Sequence, residues 1–165
     1  MLLYQIEDDQ LTALGYCATN GKIYDLSYLK ESKTVWNTLA SLILAGNTSD
    51  ANELITRALS MAMCDHWARM RSGLWYLQYA GHVFCVRSDG PVQVSLEYEN
   101  KNSRVPTDLA ILAAEIAYHI RRRWYEDRVA RRTAERNTRR DYRSYQAHRT
   151  HRTYRSYNSY RYRIR

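Results

Sequence analysis

The stretch LWYLQYAGHVFCVRSDGPVQVSLEYE, residues 74–99, decides the fold class. Val92, Val94, Leu96 and Tyr98 alternate with Gln93, Ser95, Glu97 and Glu99. A period of two belongs to a strand with one buried face and one wet, here acidic, face. Ala80-Gly81 and Asp89-Gly90 supply turn residues between three such runs. Pro91 suits the first position of a strand. The spacing predicts a three-stranded antiparallel meander over 74–79, 82–87 and 92–99.

Upstream, the period is helical. Leu29, Val35, Trp36, Leu39, Leu42 and Ile43 recur at three and four, predicting a helix over 27–45 that Gly46-Asn47 ends. A second helix is expected over 50–71, with Asp50 and Glu53 as a capping box and Ser72-Gly73 as its stop. Leu54, Ile55, Ala58, Leu59, Ala62, Met63 and Met70 supply its apolar surface. The short connection predicts an antiparallel pair. Nearer the N-terminus, 2–6 is apolar enough for a short strand. Asn20-Gly21 suits a two-residue hairpin turn, since both residues tolerate positive φ.

Downstream, Val105-Pro106-Thr107 opens the strongest helix, with Thr107 as its cap. Leu109, Leu112, Ala113, Ile116, Ile120 and Trp124 form its apolar stripe. The stripe ends at Trp124, and from residue 121 onward arginine dominates the helix: Arg121, Arg122, Arg123, Arg128, Arg131, Arg132, Arg136, Arg139 and Arg140. The first half is expected to dock and the second to be solvated, fraying near Asn137-Thr138.

The tail, 142–165, reads in threes. Rings fall at Tyr142, Tyr145, His148, His151, Tyr154, Tyr157 and Tyr160, usually followed by Arg and a small hydroxyl residue. With Ile164 as its one aliphatic residue, it cannot bury a core. A polyproline-II-like chain, with about three residues per turn, keeps such rings on one edge. The tail is therefore expected to be disordered when free and extended when bound. The fold class is α+β: a helix pair on a small antiparallel β-meander, then a long Arg-rich helix and a disordered Tyr/Arg tail. The expected divisions are an acidic body at 1–106, the helix at 107–140 and the tail at 141–165.

Charge shows the same division. The chain has net charge +8. Residues 1–100 hold 7 basic and 11 acidic side chains, whereas 101–165 hold 18 and 6. An acidic body with a basic arm makes the arm the part that meets a polyanion. Arginine is chosen over lysine, 21 to 4. Guanidinium binds phosphate bidentately and stacks on rings, which ammonium does not match.

Catalytic patterns are weak. Cys64 and His66 lie two apart on an expected helix and do not face each other. His82 and Cys85 would point to opposite faces of a strand. Glu115 and His119 are helical neighbours but lack further metal ligands. Glu97 and Glu99 read as solvent-facing acids. There is no phosphate-binding Gly loop, and neither an enzyme activity nor a cofactor is expected. Cys17, Cys64 and Cys85 form no metal pattern and fit a reducing compartment.

The N-terminus lacks the basic region of a signal peptide. The longest apolar run, 39–45, is far short of the roughly 20 residues that span a bilayer. Cytoplasm or a virion is the expected location. In layout alone, the chain resembles viral capsid or nucleoid proteins with an Arg-rich tail beyond a folded shell.

These features predict a nucleic-acid-binding protein, for RNA or DNA, with weak sequence preference. Arg121, Arg122, Arg128, Arg132, Arg136, Arg139, Arg140, Arg143, Arg149, Arg152, Arg155, Arg161, Arg163 and Arg165 are the candidate phosphate contacts. Tyr142, Tyr145, Tyr154, Tyr157 and Tyr160 are the candidate stacking rings. The body would self-associate or dock a protein partner. The alternative is a structural, virion-type assembly protein whose basic tail threads into neighbouring subunits.

Overall fold

The structure, a computed structural model, describes residues 1–65, 67–69, 74–79, 82–88, 94–100 and 108–161. It is α+β, with two antiparallel sheets, a helix pair and a long C-terminal helix.

The first sheet joins β1 (Leu2–Glu7), β2 (Gln10–Cys17) and β3 (Ile23–Asp25) in that order. Its first turn is Asp8-Asp9, both left-handed at φ 50° and 58°. Aspartate enters that region more readily than most residues, so two acids make a turn that Asn-Gly makes elsewhere. At the second turn Gly21, but not Asn20, is left-handed, at φ 82°. Ala18 N–H donates to the Lys22 carbonyl, so the loop is Thr19-Asn20-Gly21, one residue longer than the two-residue turn the dipeptide predicts. The Asn20 side chain accepts the Lys22 N–H at 3.0 Å.

A 3-10 turn, Ser27–Glu31, precedes α1 (Lys33–Leu44). The helical pattern expected over 27–45 is thus divided at Ser32, where the backbone is extended. Helix α1 stops where the sequence predicts. Gly46 is left-handed, its N–H bonds the Ile43 carbonyl, and the Asn47 N–H bonds the Leu42 carbonyl at 2.8 Å. That pair of bonds is a Schellman stop.

Helix α2 (Thr48–Met63) begins and ends earlier than its sequence suggests. Asn47, not Asp50, is its N-cap, and Asp50 sits in the first turn, where an acid favours the helix dipole. Its C-terminus falls at Met63 rather than near residue 71. The last carbonyls find distant partners: Met61 O accepts the Trp67 indole N–H at 2.7 Å and Ala62 O accepts an Arg121 N–H at 3.0 Å. Those bonds satisfy groups a helix end would leave orphaned.

The pair packs on the first sheet. Leu2 N–H donates to Asn52 Oδ1 at 2.9 Å and Thr56 Oγ1 lies 3.0 Å from Tyr16 OH. Leu11, Leu14, Leu39, Ile43, Leu54 and Ile55 are buried there. Met63, expected on the apolar surface, is half exposed, while Met61 is fully buried. Met70 lies outside the described residues.

The second sheet runs β4 (Trp67–Arg69), β5 (Trp75–Tyr79), β6 (His82–Ser88) and β7 (Val94–Asn100), all antiparallel neighbours in order. The last three strands are the predicted meander. Strand β4 adds an edge from residues expected to be helical. Trp75, Leu77, Phe84 and Val86 are buried on this sheet.

Helix α3 (Asp108–Arg161) comes next. The chain forms two compact units, Met1–Arg123 and Trp124–Arg165, so the division falls within this helix. In the first unit, Ala113, Ala114, Ile116, Ala117, Tyr118 and Ile120 are fully buried. Tyr118 meets Trp75 edge to face at 6.2 Å, and Trp75 meets Trp67 likewise at 6.3 Å. An aromatic chain thus ties α3 to the second sheet.

Candidate nucleic-acid interface

In the second unit, α3 continues without interruption. It passes through Asn137-Thr138, where the sequence predicts fraying. Thr133 and Thr138 donate their hydroxyls to the carbonyls of Val129 and Ala134, both at 3.0 Å. The helix also takes in residues 142–161, which the triplet repeat places in an extended tail. The cause lies in helix cooperativity. Nucleation is the costly step, and each added residue then gains a bond. The docked half supplies the nucleus, and no Gly or Pro occurs between it and the C-terminus.

The candidate arginines divide into two groups. Arg121 and Arg122 are half buried in the first unit. Arg121 caps the C-terminus of α2, and Arg122 lowers the pKa of His119. Arg123 lies 3.7 Å from Glu31 and stacks over Tyr28 at 5.4 Å. Arg121 and Arg123 are thus occupied in holding α3 to the body. In contrast, Arg128, Arg132, Arg136, Arg139, Arg140, Arg143 and Arg149 are exposed. Arg131 is exposed as well and completes the set. It is absent from the phosphate contacts expected from sequence, although its spacing from Arg128 signals it.

Tyr142 and Tyr145 are 63% and 64% exposed, so their faces are open for stacking. Gln146 donates to Tyr142 OH at 2.9 Å. On a helix, rings three residues apart step by about 60° around the axis. They therefore do not line one edge, as they would in an extended chain. Arg152, Tyr154, Arg155, Tyr157, Tyr160 and Arg161 lie on helical backbone, and Arg163 and Arg165 fall outside the described residues.

Cys64 is the extended residue after α2, not part of a helix, and His66 lies outside the described residues. No cluster of three potential metal ligands occurs among the described residues. Glu115 and His119 are neighbours on α3. Burial raises the Glu115 pKa. Burial, aided by the Arg122 guanidinium, lowers His119 to about 4 from its ordinary 6.5.

The His119 shift makes stability depend on pH. Between about pH 6.5 and 4 the unfolded chain protonates His119 and the folded chain does not. Stability is whole above that window and falls on acidification, by roughly 3 kcal/mol if the window is crossed. Glu115 acts oppositely: its contribution is present in acid and is lost as pH rises through its folded pKa. The two effects oppose each other where their windows overlap, so the histidine effect is read as the difference between the parent and a variant that lacks the imidazole. Urea midpoints of the parent chain are expected to fall from pH 7 to 5.5, and those of His119→Gln to change less.

No helix among the described residues is long and apolar enough to cross a membrane. Comparison with protein-family models, curated proteins and solved structures finds no significant match.

Proposed function

We propose that this chain is a non-enzymatic nucleic-acid-binding protein. The arginines of the second unit contact phosphates, exposed Tyr side chains add stacking, and the α+β body mediates self-association or docks a protein partner. One observation carries this reading: residues 124–165 hold 13 arginines against four acids, and those from Arg128 to Arg143 are exposed on α3. A solvated helix needs balanced pairs, not so large an excess of one sign. Guanidinium is also the side chain best shaped for phosphate.

The test is co-purification. Full-length protein is expected to leave its first column with a high ratio of nucleic-acid to protein absorbance. A chain ending at Arg123 retains the buried face of α3 and is expected to come off free of nucleic acid. Equal ratios for the two would refute the assignment to the second unit.

A further inference from the structure

We infer that the basic face of α3 between Arg128 and Arg143 lies in the major groove of B-form duplex DNA. This rests on the nucleic-acid reading above and narrows it. The arginines are spaced four, four, three and four along Arg128, Arg132, Arg136, Arg139 and Arg143. At about 100° per residue these five fall within a sector of about 80°, and the stripe rises about 22 Å. Arg131 and Arg140 flank it, about 100° to one side of its midline and about 80° to the other. All seven arginines of the segment thus occupy one half of the helix, which they share with Val129, Glu135 and Tyr142.

The other half carries Ala130, Ala134, Asn137 and Asp141. Those residues are exposed. They offer no large apolar surface, so a lipid interface would bury nothing there. A face with seven cations against one acid, flanked by lateral cations, matches a concave surface walled by phosphate on both sides. The major groove of B-DNA is about 12 Å wide, and a helix with its side chains is about 10–12 Å across. The A-form RNA major groove is too deep and narrow to admit such a helix. A single strand is held by rows of rings, and on α3 the positions of Tyr142, Tyr145 and His148 drift about 120° around the axis from first to last and leave the arginine face.

The test uses the full chain and fluorescence anisotropy with three probes: a short labelled DNA duplex, one of its strands, and the matching RNA duplex. The DNA duplex is expected to bind about tenfold or more tighter than either other probe. Arg132→Ala/Arg136→Ala/Arg139→Ala is expected to lose that preference. A second variant adds Ala130→Arg/Ala134→Arg/Asn137→Arg, restoring net charge on the opposite face, and is expected not to regain it. Circular dichroism checks that both stay helical. If the transplanted charges restore duplex binding, the facing is irrelevant and the inference falls. Should the parent bind strand and duplex equally, the groove is wrong while the nucleic-acid reading stands. Binding to none of the probes overturns both.

Discussion

Raising monovalent salt from about 50 to about 200 mM is expected to weaken nucleic-acid binding by the full-length chain about a thousandfold. The magnitude comes from the number of phosphates engaged. Seven exposed guanidiniums lie between Arg128 and Arg143. Each phosphate they neutralise releases a condensed counterion, and the log–log slope is about −0.9 per phosphate on a duplex. Five to seven contacts therefore give a slope near −5 to −6. Glu135 and Asp141 share this segment and offset part of the charge. Titrations at several salt concentrations read the slope directly. A change of less than about tenfold would mean that neutral contacts, not arginine–phosphate pairs, hold the complex.

Replacing Tyr118 with alanine is expected to cost about 3–5 kcal/mol of stability. Tyr118 is 1% exposed, and its ring meets Trp75 edge to face. Truncation removes the transfer energy of the ring, leaves a cavity between α3 and the second sheet, and breaks the aromatic chain to Trp67. Domains of this size are stable by about 5–15 kcal/mol, so the loss is a large share of the total. The urea midpoint monitored by tryptophan fluorescence should move accordingly. Tyr142→Ala, on the exposed helix, is expected to stay within about 0.5 kcal/mol of the parent. Equal shifts for the two would contradict the placement of Tyr118.

Local chemistry makes much of this fold readable from sequence. Asn20-Gly21 and Gly46 mark turns whose glycines sit at left-handed positions that few other residues enter. The alternation over 92–99 needs only the pleat of a strand. Elements fixed by distant groups are not readable in this way. Helix α2 stops at Met63, where Trp67 and Arg121 bind its last carbonyls, and Arg121 comes from 59 residues away. Nothing around residue 63 signals this, and the apolar pattern continues to Met70. Likewise Asp8-Asp9 carries no glycine to mark its turn.

At the candidate interface, residue types are legible and their facing is not. Arginine and tyrosine in excess point to phosphate and bases in any conformation. Which of them share a side depends on the backbone. An extended chain lines up the rings at every third residue; a helix instead lines up Arg128, Arg132, Arg136, Arg139 and Arg143. The period of three belongs to the rings, while the four-and-three spacing of the arginines lies mostly upstream of it. Arg121 resembles its neighbours in sequence, yet its bond to the Ala62 carbonyl gives it structural work.

The central claim is that guanidiniums on the second unit hold a polyanion. Replacing Arg128, Arg131, Arg132, Arg136, Arg139, Arg140 and Arg143 with glutamine keeps helix propensity close to that of the parent. The affinity of this variant for nucleic acid, measured beside the parent at one low salt concentration, is the most direct reading. The account predicts a loss of about a hundredfold or more; an unchanged affinity would contradict it.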